Sequence, residues 1–219
     1  GGFILKVERR HMLLYAVTDR SWLHGQSLVY AVEEVLAGGA TMLQLREKHL
    51  EHRDFLAQAQ ELLPLCRKYH VPLIINDDVQ VALESGADGV HVGQSDMAVQ
   101  AARSILGPDK IIGASAHNAS EALAAVAAGA DYLGCGAVFG STTKADAGLL
   151  SLNTLREIRA AVRVPIVAIG GINRQNIARL AGSGVDGVAL ISALFAAPDK
   201  RAAAQQMLEQ SLKIAGGER

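Results

Sequence analysis

Ser85-Gly86-Ala87-Asp88-Gly89 is the stretch that decides the fold, because it recurs. Ala128-Gly129-Ala130-Asp131 and Ser183-Gly184-Val185-Asp186-Gly187 repeat it, and Gly38-Gly39-Ala40-Thr41 is a weaker copy. In each copy glycine stops a segment of helical apolar periodicity, and a short buried strand follows. The copies precede the second, fourth, sixth and eighth of eight expected strands. These are residues 13–18, a run from 41 into 44–48, then 71–76, 89–92, 110–114, 132–136, 166–169 and the segment after Gly187. A helix, glycine turn and strand repeated along the whole chain predict a closed α/β barrel of the (β/α)8, or TIM, type. An open Rossmann sheet is the competing arrangement, but no G-x-G-x-x-G follows the first strand.

Residues 12–219 are expected to form this single catalytic domain, with 1–11 an N-terminal extension, native or appended. Expected helix starts are Ser27, Asn118 with Glu121 three residues on, Ser151 and Asn173. A helix over about 53–69 contains Pro64, at which it could kink or break. A final amphipathic helix fills the C-terminus.

The 219 residues are 50% hydrophobic, enough for a large core, and the net charge of -1 offers no basic field for nucleic acid or a membrane surface. Cys66 and Cys135 stand far apart outside any C-x-x-C, as buried thiols of a reducing compartment do. The apolar start is too short for a signal-peptide core, and no apolar run approaches the ~20 residues of a membrane span. A cytoplasmic protein is expected.

In such barrels the loops after the strands share one face. Gln44-Leu45-Arg46-Glu47-Lys48 places two cations where the second strand ends. Together with Lys144 and the Asn76 amide, Arg46 and Lys48 suit two linked phosphates, Arg as a bidentate fork and Lys as a mobile charge. Asp77 and Asp96, after the third and fourth strands, could hold Mg2+, which commonly takes one or two carboxylates with phosphate oxygens and water. Asp78 reads as a helix cap. Gly170-Gly171 and Ile191-Ser192, after the last two strands, read as a second anion site. Ser115 could touch a polar ring, His91 reads as packed and hydrogen-bonded, and His117 is left open between surface and mouth.

Taken in order, QLREK at 44–48, INDD at 75–78, DGVHVGQSD at 88–96, SAH at 115–117, STTKADA at 141–147 and AIGGI at 168–172, with Ile191-Ser192, resemble thiamine phosphate synthase. The resemblance runs from about Leu13 to Phe195. It implies a transferase that joins 4-amino-2-methyl-5-hydroxymethylpyrimidine diphosphate to 4-methyl-5-(2-phosphoethyl)thiazole, giving thiamine monophosphate and pyrophosphate by a dissociative, Mg2+-assisted substitution. It also implies site roles. Gln44, Leu45, Arg46, Glu47, Lys48, Asn76 and Lys144 would handle the pyrimidine diphosphate, and Ser115 the pyrimidine. Asp77 and Asp96 would hold Mg2+; Ser141, Thr142, Thr143, Gly171, Ile191 and Ser192 would take the thiazole phosphate. Arg46, Lys48, Ser115 and Lys144 would be the catalytic group.

Two positions depart from the family pattern: Gly140 stands where Pro is usual, and Ser141 where Thr is usual. The departures bear on loop closure. Partners are expected to be small phosphorylated molecules, with no nucleic acid or membrane, and a homo-oligomer is compatible with the sequence. Two other readings share the barrel: a thiazole tautomerase of the TenI type using His117, and a non-catalytic sensor of a phosphorylated ligand.

Overall fold

The structure of the chain is a computed structural model and describes residues 6–140 and 148–216, the Asp96 side chain excepted. Parallel strands close into a barrel in chain order: β1 Leu14–Val17, β2 Met42–Leu45, β3 Leu73–Asn76, β4 Gly89–Val92, β5 Ile111–Ala116, β6 Tyr132–Cys135, β7 Ile166–Ala168 and β8 Gly187–Leu190. Closure is visible at β1, where Tyr15 is in register with Met42 on one side and Ala189 on the other. Around the barrel run α1 Leu28–Ala37, α2 His52–Lys68, α3 Val79–Ser85, α4 Asp96–Leu106, α5 Ala119–Ala128, α6 Leu152–Ala161, α7 Ser192–Phe195 and α8 Lys200–Ile214. The barrel expected from the repeated turn is therefore the fold observed.

Local chemistry explains most boundaries. Ser27, Asp78, Asn118 and Ser151 each accept an amide three residues on, capping α1, α3, α5 and α6. Glu121 does not close a full capping box; its carboxylate takes the His117 amide instead of that of Asn118. Helix α2 is not interrupted at Pro64. One face of α2 buries Phe55, Ala59, Leu62 and Cys66, and this packing carries the helix through the missing hydrogen bond. Asn173 accepts the amides of Gln175 and Asn176 as an Asx-turn, so the short 3-10 helix begins later, at Ile177. Four-residue α7 is too short to show a period in sequence.

Alternation along the strands divides the core into two layers. Leu14, Leu43, Leu73, Val90, Ile112 and Val188 face the helices. Tyr15, Met42, Ile74, Ile111, Tyr132 and Val167 fill the barrel, and Val7 and Met12 close its N-terminal end.

The recurring turns form a matching set of clamps at that end. Asp88 donates its amide to Leu73 O, and its carboxylate accepts the Leu73 amide at 2.7 Å. Asp131 does the same with Ile112, Asp186 with Ile166, and Thr41 with Leu14 through its hydroxyl. Each reciprocal pair satisfies an amide at or beside the start of an odd-numbered strand and fixes the register of the next strand against it. The three aspartates also carry an arginine from the preceding even-numbered helix: Arg67, Arg103 and Arg159.

Burial decides how much each clamp matters. The Asp186 side chain is 3% exposed. Burial pushes its carboxyl above the ordinary range and the Arg159 guanidinium below its own, so desolvation outweighs pairing at both. Such a pair adds little net stability, yet removing one partner strands the other. Asp186→Ala is expected to cost about 3–5 kcal/mol, and Thr41→Val, which removes a neutral hydroxyl that accepts the Leu14 amide and donates to His11 O, about 1–2 kcal/mol. Urea unfolding followed by circular dichroism measures both, and equal losses would contradict this ordering.

Candidate active site

At the C-terminal ends of the strands the barrel opens into a cavity of about 480 Å³. Its floor is made of inward-facing strand residues, Tyr15, Gln44, Asn76, His91, Ser115 and Val167, and its rim of Arg46, Gly170, Gly171, Ile191 and Ser192. A larger cleft of about 640 Å³ lies at the opposite end, between residues 6–10 and the starts of β6 and β7. There Lys6, Arg9 and Arg10 are paired to Asp131, Asp186 and Glu8. At the mouth, by contrast, Arg46 and Lys48 meet no carboxylate among the described residues. Arg46, unpaired among the described residues, lines this concave, part-apolar cavity and makes the mouth the candidate ligand site.

The stretch at 44–48 divides as strand alternation requires. Gln44 and Arg46 reach the cavity, and the Arg46 amide is held by the Thr18 hydroxyl at 3.0 Å. The Leu45 side chain is buried in the helix-facing layer, so only its backbone is available to a ligand. Glu47 is held by Arg20, turning its charge away from the cations beside it. Lys48 is exposed.

Asn76 ends β3 and donates to Gln44 Oε1 at 2.9 Å. Asp77 follows with φ +67°, a left-handed conformation that costs a non-glycine residue of the order of 1 kcal/mol or more. Its amide donates to His91 O at 2.8 Å, and its exposed carboxylate takes no hydrogen bond or ion pair from the described residues. A free, hard oxygen donor of this kind suits a divalent cation. Asp96 opens α4, but its side chain lies outside the described residues, as do Ser141, Thr142, Thr143 and Lys144. Among the described residues no cluster of three or more acidic, His or Cys side chains forms a metal cage.

Across the cavity, Gly170 and Gly171 have φ of +98° and +64°. A Cβ on Gly170 would come within 2.5 Å of Ala137 Cβ, and one on Gly171 would overlap the Phe139 carbonyl. Ile191 and Ser192 lead into α7 beside this turn, and amides at a helix start lack intrahelical acceptors.

Beneath both sides runs a buried polar chain. Gln44 Nε2 donates to Tyr15 OH at 2.9 Å, Tyr15 OH meets Tyr132 OH at 2.7 Å, and Tyr132 OH meets His91 Nδ1 at 2.9 Å. His91 Nε2 then meets Ser115 Oγ at 3.0 Å. Glycine at 113 makes this possible, since any Cβ there would overlap the Tyr132 ring. Burial pushes His91 down to about 4 and both tyrosines up, so all three are neutral near pH 7. His91 is thus hydrogen-bonded core, as its place within a strand suggested, while the two tyrosines carried no distinguishing sequence signal. His117 is exposed, bonded to Glu121 at 2.9 Å, and does not line the cavity.

The fold and this mouth define a (β/α)8-barrel enzyme with a ligand-sized cavity that Arg46 lines. A family model described as thiamine monophosphate synthase matches residues 14–194. Thiamine-phosphate synthases from Chloroflexus aurantiacus and Clostridium novyi are 52% and 48% identical, each over 89% of this chain and 90% and 96% of their own length. A thiamine phosphate pyrophosphorylase structure from Pyrococcus furiosus superposes with a TM-score of 0.85 at 40% identity, over 95% of this chain and 99% of that one. The chain belongs to the thiamine monophosphate synthase family, and is a transferase.

Replacing Gly171 by Ala is expected to force apart the loops at 137–139 and 170–172. The loss should be about 1–3 kcal/mol by urea unfolding. An unchanged unfolding midpoint would mean that the turn tolerates a side chain.

Proposed function

We propose that this cavity joins 4-amino-2-methyl-5-hydroxymethylpyrimidine diphosphate to 4-methyl-5-(2-phosphoethyl)thiazole, giving thiamine monophosphate and pyrophosphate. The observation that carries the reading is the presence, across one cavity, of two dissimilar rims with groups suited to anions. Arg46 lines one side and exposed Lys48 follows it, neither meeting a carboxylate among the described residues, and the turn at Gly170-Gly171 with Ile191-Ser192 lies on the other. Two phosphorylated substrates need two such places.

In this reading Arg46, Lys48, Asn76 and Lys144 take the diphosphate, with Gln44 and the 45–47 backbone supporting them. Gly171, Ile191 and Ser192, with Ser141, Thr142 and Thr143, take the thiazole phosphate. Ser115 sits at the pyrimidine. Asp77 and Asp96 are the residues that would hold Mg2+, which when bound supplies positive charge to the pyrophosphate leaving group.

The chain's own contribution is electrostatic and geometric. The bond from the pyrimidine methylene to pyrophosphate largely breaks before the thiazole nitrogen attacks, because the aminopyrimidine stabilises the carbon cation. Arg46, Lys48 and Lys144 stabilise charge growing on the leaving group, and the opposite rim holds the thiazole nitrogen in line with the carbon. No protein nucleophile is required. Nothing on the cavity favours a reading centred on His117, whose ring is engaged by Glu121.

The deciding experiment follows pyrophosphate release and thiamine phosphate formation with both substrates, with and without Mg2+. Coupled, metal-dependent appearance of both products is expected. Binding of the thiazole phosphate with no pyrophosphate release would overturn the reading. Lys144→Ala should lower kcat far more than it raises KM, since the leaving-group charge peaks in the transition state. A raised KM at unchanged kcat would remove Lys144 from that role.

A further inference from the structure

Asn76, Gln44, Tyr15, Tyr132, His91 and Ser115 form one unbroken hydrogen-bonded chain, with both ends on the ligand cavity and its middle in the barrel core. Its proton count leaves little freedom. Each tyrosine or serine hydroxyl has one proton, and neutral imidazole has one N–H and one bare nitrogen. Asn76 Nδ2 donates to Gln44 Oε1, and Gln44 Nε2 donates to Tyr15 OH. Tyr15 must then pass its proton to Tyr132, Tyr132 must donate to His91 Nδ1, and His91 must donate from Nε2 to Ser115 Oγ.

At the far end the Ser115 proton is left for a ligand, and at the near end so is Asn76 Oδ1. Turning a single member round would set two donors or two acceptors face to face inside the core, where an unsatisfied polar group is costly. The chain can only reverse as a whole.

We propose that Tyr15, Tyr132 and His91 are positioning residues that tie the hydrogen-bonding character of Ser115 to that of Asn76. The cavity floor thereby offers one donor, Ser115, and one acceptor, Asn76 Oδ1, to a single flat ring, while the second Nδ2–H of Asn76 remains for the diphosphate. The ligand edge it selects carries an acceptor towards Ser115 and a donor towards Asn76, as a ring nitrogen beside an exocyclic amine does. Assigning that edge to the pyrimidine diphosphate rests on the function proposed above, whereas the order of protons along the chain does not.

Two measurements keep those apart. The first needs no substrate: 15N-histidine spectra of the wild-type protein at pH 7, with His91 assigned by its loss in His91→Gln, should show Nε2 protonated and Nδ1 bare. Protonated Nδ1 would overturn the proposal. The second is steady-state kinetics of Tyr132→Phe, which keeps the ring over Gly113 and deletes the hydroxyl joining Tyr15 to His91.

The KM for the pyrimidine diphosphate should rise roughly tenfold, the loss of about one well-placed hydrogen bond. The KM for the thiazole phosphate should stay within about twofold of wild type. A merely structural role would lower the unfolding midpoint and leave both KM values alone, and that result would sink the proposal. If Tyr132→Phe does not fold, Tyr15→Phe cuts the chain one link further along and should give the same split. A wild-type protein that forms no thiamine phosphate would defeat the proposed function while leaving the tautomer result to judge the chain.

Discussion

Reciprocal clamps between turn and strand are the interaction on which this molecule depends. A parallel barrel has a recurring problem at its N-terminal end, where each strand begins with an amide beyond the last ladder bond. Asp88, Asp131 and Asp186 solve it with a carboxylate, and Thr41 with a hydroxyl, each also donating its own amide back. Before Asp88 and Asp131 the glycine, Gly86 or Gly129, caps the helix and the acid leads into the strand; before Asp186 the 3-10 helix has already ended at Leu180. One short motif therefore stops one element, starts the next and locks it to its neighbour. The arginine behind Asp186 follows from burial, because a carboxylate taken from water must find a counter-ion; Asp88 and Asp131 are partly exposed and carry theirs nearer the surface.

With register held from below, the barrel interior can contain polar groups that would otherwise destabilise it. Tyr15 and Tyr132 enter from β1 and β6 and meet edge-to-face, with ring centroids 5.8 Å apart, over the space left by Gly113. Their hydroxyls cannot reach water, so they bond to each other, to Gln44 and to His91. Core packing and site construction are thus one problem. Every hydrogen bond that satisfies the buried tyrosines also orients a group at the cavity floor.

The legible parts of this molecule were those written in local chemistry. Glycine turns, serine and asparagine caps and the strands between them depend on residues a few positions apart, so the repeat at 85–89, 128–131 and 183–187 revealed the barrel. Arg46, Asn76 and Gly171 were visible because a barrel brings all its strand ends to one face. The floor was hidden. Tyr15 and Tyr132 are 117 residues apart, and each four-residue strand around them is buried on both sides. Alternation identifies an inward face only where the other face meets water. Pro64 misled for a related reason, since one face of tertiary packing outweighed a local breaker.

Charge is distributed between the two ends in a way that follows from what each must do. At the closed end Lys6, Arg9 and Arg159 are committed to Asp131 and Asp186, and their role is spent on structure. At the open end Arg46 and Lys48 meet no carboxylate among the described residues, although Glu47 lies between them in sequence, because Arg20 draws that carboxylate aside. Leaving like charges unpaired in a cavity is unfavourable for the free protein, and an incoming anion relieves it. Asp77 adds a matching element: a backbone strained into the left-handed region, anchored by His91 O, with a carboxylate that takes no partner among the described residues. Both features concentrate uncompensated charge and backbone strain at the mouth, while the core and the closed end keep their charges paired.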